Sequence, residues 1–213
     1  MKGRLESNLI WGAHSPLSAL GGAALIIMAS SRVSFALICG VILLWVYGLT
    51  ALIFSCSKPI LPVRGRMIVL LFLSSFLCGL FMFLLDLLNP LLIMGMNFFL
   101  LLIPPCCLGS GLFNDTESVY HGELVSRALL EAFVLSGVIL AFALIREPLG
   151  MGTLSFPGGA QGVIEVISPG EEGGFIPIRI LSASAGGLLL LGFGIFLFRH
   201  LRERSGEAGE ESQ

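Results

Sequence analysis

The sequence predicts an all-α integral membrane protein with about six transmembrane helices, and two observations carry that prediction. Hydrophobic residues make up 55% of the chain against 12% charged, with a mean hydropathy of +0.95. That is more apolar surface than a water-soluble core of this size buries. The apolar residues also fall into runs that each approach the roughly 20 residues needed to cross about 30 Å of hydrocarbon. Alternating segments of about 10 residues, the mark of a membrane β-barrel, are absent. The few charges lie between or beyond the runs, and a net charge of −2 leaves no nucleic-acid footprint.

In order, the runs place spans at 16–30, 34–56, 67–86, 88–108, 124–145 and 178–199. The first is short and rich in small residues, among them Ser18, Ala19, Gly21, Gly22, Ala23 and Ala24. The third ends at Asp86, where Asn89-Pro90 reads as a helix end and a turn. The fourth is broken near its end by Pro104-Pro105 and then by Gly109-Ser110-Gly111. Breaks at membrane depth leave backbone groups that lipid cannot satisfy, so protein or a lined cavity must cover them. Irregular spans in first and fourth place divide the domain of residues 1–204 into halves, 1–86 and 87–204. Three crossings per half invert the second against the first, which predicts two inverted three-helix repeats with broken first and fourth helices.

The fifth run closes on IREPLGMGTL (145–154). Read bare, this is a helix stop, with Arg146 and Glu147 snorkelling at the interface and Gly150 and Gly152 allowing a tight exit. The Gly- and Pro-rich stretch 148–177, carrying Glu165, Glu171 and Glu172, reads as a long loop. Residues 205–213 read as a polar, disordered tail. Lys2, Arg4, Lys58, Arg64, Arg66, Arg199, Arg202 and Arg204 gather on one side, with Arg127 close to it. The other side holds Arg32, Arg146 and Arg179. Positively charged loops stay in the cytoplasm, so both termini are expected there and the 148–177 loop outside. Lys2 and Arg4 are followed by Glu6, Asn8 and His14 before any apolar run, which does not read as a cleaved signal peptide.

Ionisable residues inside spans are candidates for function because lipid burial is costly. Asp86, Arg127 and Glu131 qualify. Glu131 follows Arg127 by four residues, and Glu123 precedes it by the same spacing, so the residues read either as a structural intrahelical pair or as an ion-conducting group. His14, beside Ser15-Pro16, reads as an interfacial cap. The five cysteines show no CxxC or Cys/His spacing. Cys39, Cys56 and Cys78 read as small buried hydrophobes. Cys106 and Cys107 are adjacent and project about 100° apart on a helix, which suits packing better than joint ligation of one metal atom. No hydrolase triad, metalloprotease helix or nucleotide loop is visible, so no independent catalytic activity is expected.

IREPLGMGTL resembles the IRE-x-LG-x-GTL signature that closes the fifth helix in the Rnf/Nqr family of membrane subunits, the A and E subunits of Rnf complexes and the D and E subunits of the sodium-translocating NADH:quinone reductase. IPPCCLGSG (103–111) is similar to that family's IPLI-x-x-NC-x-x-x-G, with Cys107 on the family cysteine and Gly111 on the glycine that follows. SAGGLLLLGFGIFLFRH (184–200) resembles its final helix, rich in small residues. The resemblance spans nearly the whole chain, and cytoplasmic termini look more like the Rnf E and Nqr D branch. It implies a non-catalytic membrane subunit of the bacterial inner membrane, in an ion-translocating oxidoreductase complex that passes electrons across the membrane. The implied partners are a homologous subunit of opposite topology and the other subunits of such a complex. The implied cofactor is a [2Fe-2S] cluster shared with that subunit, with Cys107 as ligand and Cys106 as a weaker one. The chain departs from the family at its LGLCP motif, which would fall near Leu20-Gly-Gly-Ala-Ala24, since no cysteine precedes Cys39. That departure raises an alternative, a stand-alone transporter or channel on the same scaffold that has lost the redox centre.

Overall fold

The computed structural model describes residues 20–57, 65–109, 121–158, 163–167 and 179–210. Within them the chain forms helices α1 (Leu20–Ala29), α2 (Val33–Ser57), α3 (Arg66–Leu88), α4 (Pro90–Leu100), α5 (Ile103–Gly109) and α6 (His121–Met151), then strands β1 (Leu154–Pro157) and β2 (Val163–Ile167), then helices α7 (Arg179–Ser182) and α8 (Ser184–Glu210). Four stretches are long and apolar enough to cross a membrane: Val33–Ser57, Arg66–Leu88, Pro90–Gly109 and Leu124–Met151. A shorter apolar helix covers Ser184–Phe196. The protein is therefore a helical membrane protein.

Helices α2 and α6 pack along most of their lengths at the centre of the fold. Small residues let their backbones approach, the usual device where lipid removes any hydrophobic drive between helices. A Cβ on Gly40 would fall 2.2 Å from the Ser136 hydroxyl, and one on Gly48 would fall 3.0 Å from Leu129. Pairing 40 with 136 and 48 with 129 makes the two helices antiparallel. The buried stripe Cys39, Ile42, Leu43, Val46, Tyr47 and Thr50 of α2 repeats every three or four residues and faces Ala128, Ala132, Leu135 and Ile139 of α6. Helix α3 is the opposite case. It buries Leu70, Ser74, Leu77 and Cys78 and leaves Phe72, Phe76 and Phe83 exposed, a lipid-facing composition.

Asn89 alone separates α3 from α4, with extended backbone that ends one helix, and Pro90 starts the next at a position whose missing N–H costs nothing. The expected turn is present, and Asp86 is exposed beside it. The break in the fourth span lies earlier than expected. It falls at Leu101-Leu102, and Pro104 and Pro105 sit inside the first turn of α5 rather than at the end of a helix. A proline there removes N–H groups that a new helix leaves unpaired in any case, but it also strips Leu100 and Leu101 of the donors a continuous helix would supply. The Leu100 carbonyl instead accepts the Cys78 thiol of α3 at 3.4 Å.

The fifth span does not stop at the Arg146-Glu147 pair. Helix α6 runs through Pro148 to Met151, and Gly152, at φ 70°, closes it with its N–H on the Pro148 carbonyl at 3.0 Å. What read as the start of a long loop is helix and then an antiparallel hairpin that pairs Ser155 with Glu165 and Phe156 with Ile164. The segment Val163–Ile167, four of whose five residues are β-branched, supplies the second strand. The sixth span is also divided, at Ala183, between α7 and α8. Helix α8 continues through Glu210 into the stretch read as a disordered tail. Residues 16–19 of the first span, His14, Gly111, residues 168–177 and residues 211–213 lie outside the described residues.

Candidate functional site

Helix α6 carries two buried polar constellations, one at each side of the fold's centre. The first is the Arg146-Glu147 pair, 3% and 1% exposed. The expectation that these residues snorkel into solvent is therefore corrected. Helix α6 runs past them, and three other helix ends converge on them.

The Arg146 guanidinium donates hydrogen bonds to the Ile27 carbonyl and the Ser30 hydroxyl at the end of α1, and to the carbonyls of Leu181, Ser182 and Ala183 at the break between α7 and α8. The bonds to Leu181, Ser182 and Ala183 measure 2.8, 3.0 and 3.0 Å. Those carbonyls are the acceptors that a terminating helix leaves without intrahelical donors. A guanidinium has five N–H groups in a planar fork, enough to serve both ends at once. Its positive charge also complements the negative ends of the helix dipoles.

Glu147 does the converse. One carboxylate oxygen accepts the Val33 N–H at 2.6 Å, at the first residue of α2, and the other accepts the Thr153 hydroxyl at 3.4 Å. The next amide, Ser34 N–H, reaches the Ser155 hydroxyl of β1 at 3.5 Å, and that hydroxyl donates to the Ser34 hydroxyl at 3.2 Å. The α1-to-α2 turn is thus held by a cation at its carbonyl end and an anion at its amide end. Glycines make the room. Added Cβ atoms would stand 2.1 Å from the Ile180 carbonyl at Gly186, 3.0 Å from the Arg146 guanidinium at Gly187 and 2.9 Å from Ser182 N at Gly150.

The second constellation lies where α2, α5 and α6 meet. Tyr47 is fully buried, and its hydroxyl lies 3.7 Å from the Cys106 sulfur. Glu131, 7% exposed, is within electrostatic range of Tyr47, Cys106 and Cys107. At 1.5 Å per residue it sits about 10 Å inside the span that begins at Leu124. Arg127, one turn earlier, is exposed. The sequence reading brought Arg127 and Glu131 to one face. It did not relate Tyr47 or the cysteines to Glu131, because they lie on other helices and their placement depends on tertiary packing.

Cys39, Cys78, Cys106 and Cys107 are buried, and Cys56 is exposed. Among the described residues no three His, Cys, Asp or Glu side chains group to hold a metal ion. Cys106 and Cys107 are 0% and 1% exposed, in the apolar core, with the Cys106 sulfur turned to Tyr47. A cluster shared across a subunit boundary asks for thiolates at a surface a partner can reach. This donor set does not fit one.

A scan against protein-family models and a search of curated protein sequences found no match to the chain.

Proposed function

We propose that this chain is a membrane subunit of an ion-translocating electron-transport complex of the Rnf/Nqr type, non-catalytic by itself and paired with a homologous subunit of opposite orientation. One observation carries the reading. The segment that bears the strongest resemblance, IREPLGMGTL, holds the fold together at its interrupted helices: Arg146 and Glu147 bind the ends of α1, α2 and α7, Gly150 lets α7 approach, and Gly152 caps α6. A motif whose members each meet a physical demand of a broken-helix scaffold is a stronger sign of kinship than ten matched letters. Helices α1 and α5 also pack on each other, a contact that supports the pairing of first and fourth spans in an inverted-repeat reading. The reading places the chain in a bacterial cytoplasmic membrane with both termini inside.

The iron–sulfur part of the family picture is the part these residues do not support, so no electron step is assigned to Cys106 or Cys107. That favours a second reading, a stand-alone inverted-repeat transporter or channel. Purification of the tagged chain from its native membranes in mild detergent separates the two. Recovery with a homologous six-span subunit and flavin- or iron-bearing subunits supports the complex. Recovery alone, as a monodisperse species with transport activity in vesicles, replaces it with the transporter. In the same preparation, iron and an EPR signal that vanish in Cys107→Ser would restore the cluster.

A further inference from the structure

The β1–β2 hairpin is built inside out for a segment in water. A hairpin that packs on a protein core turns apolar side chains inward and polar ones outward. Here Ser155 faces in, 1% exposed and bonded to the Ser34 hydroxyl at the start of α2. Phe156 and its cross-strand partner Ile164 stand 40% and 49% exposed. The next residue of β1, Pro157, lines an open-sided groove of about 230 Å³ with Leu37, Ile38 and Val41 of α2 and Phe81 and Leu85 of α3. Every lining side chain is apolar.

We propose that this groove holds one acyl chain of a phospholipid, with the hairpin lying in the headgroup layer as its rim. The proposal needs only that α2 and α3 span a bilayer, and it is independent of the electron-transport reading. The 25 residues of α2 rise about 37 Å against a hydrocarbon core of about 30 Å, so a centred helix places Leu37 about 2 Å and Val41 about 8 Å below the hydrocarbon edge. Helix α3 has 23 residues, and its last third lines the same groove as the first third of α2; it gives the same depths, about 2 Å for Leu85 and about 8 Å for Phe81. Both walls thus put the groove where the upper part of an acyl chain runs. The groove is continuous with the lipid-facing surface, because Val41 is exposed, as are Phe83 and Leu84 between the two wall residues of α3. Its size selects the occupant. One turn of an α-helix about 10 Å across fills about 420 Å³, more than the groove offers, whereas a single hydrocarbon chain is slender enough to enter. The hairpin goes no deeper than the headgroups, since a strand edge in hydrocarbon leaves N–H and C=O groups unpaired. The strand residue that meets the groove is a proline, which has no N–H to satisfy.

Native mass spectrometry of the full chain, reconstituted in dioleoylphosphatidylcholine vesicles and re-extracted in mild detergent, tests this. The folded wild-type chain is expected to retain one phospholipid. Val41→Trp fills the groove from an exposed position, so the fold stands and the retained lipid should drop several-fold. Phe133→Trp, exposed on α6, which does not line the groove, should leave retention unchanged. A folded wild type without lipid, or lipid retained equally in Val41→Trp, overturns the proposal. Equal loss in both variants does so too, since it marks lipid held by the whole apolar belt. A polypeptide co-extracted from native membranes by the wild type and lost in Val41→Trp would give the groove to a partner chain instead. The rim is read from Phe156→Trp in a chain whose Trp11 and Trp45 are replaced by Phe. In vesicles of brominated phosphatidylcholine, bromine near the acyl carbonyl should quench its emission more than bromine near the chain end. Quenching by aqueous iodide alone would return the hairpin to water and overturn its place in the headgroup layer.

Discussion

Two acidic residues on one helix have opposite surroundings. Glu147 and its neighbour Arg146 bind backbone groups at helix ends, with one hydroxyl partner each. Glu131, further back on α6, is buried in the interior of that helix, far from either of its ends. Burial alone does not distinguish them. What differs is whether the carboxylate caps a helix end, and this sets how far the fold depends on it.

The largest effect that sharpens the contrast is expected at the clamp. Arg146→Ala strands five hydrogen-bonded partners in the interior, and a cost of about 3–5 kcal/mol follows from removing one side of a buried charged network. Size-exclusion profiles in detergent should show loss of the folded monomer. Arg146→Lys should recover only part of it, because an ammonium cannot bridge acceptors on two helix ends. Next comes Gly186→Ala, whose Cβ would stand 2.1 Å from the Ile180 carbonyl. Backbone cannot give way as a side-chain tip does, so a loss of about 1–3 kcal/mol is expected in thermal unfolding.

How much of this could be read in advance follows the range of each interaction. The central spans were legible, because an apolar run long enough to cross a bilayer is a local property; residues 34–56 and 67–86 became α2 and α3 nearly unchanged. A break in the fourth was legible from its prolines, although the break lies before Pro104. The role of Arg146 and Glu147 was not. Glu147 reaches an amide 114 residues away in sequence, a contact that leaves no periodic trace, and a charge pair at the end of an apolar run looks the same whether it faces water or a helix end. The glycines at 186 and 187 were the available hint, since two adjacent glycines in a membrane helix mark a close approach. The hairpin had a hint too, in the β-branched run of Val163–Ile167, which the surrounding glycines and prolines masked.

Smaller effects test the second region. Cys78→Ala removes the donor to the Leu100 carbonyl at the helix break and should lower stability by about 1 kcal/mol. Tyr47→Phe removes a single long contact to Cys106 and should cost about 0.5–1 kcal/mol, with the monomer intact on size exclusion.

The most direct test applies the same substitution to both acids. In thermal unfolding of the detergent-purified chain, Glu147→Leu should lose the folded monomer or drop the midpoint by about 10 °C or more, because the Val33 amide at the start of α2 is left buried without its acceptor. Glu131→Leu, of similar volume, should keep the wild-type midpoint within about 2 °C or raise it. Equal losses from the two would contradict the assignment of helix-end capping on α6 to Glu147.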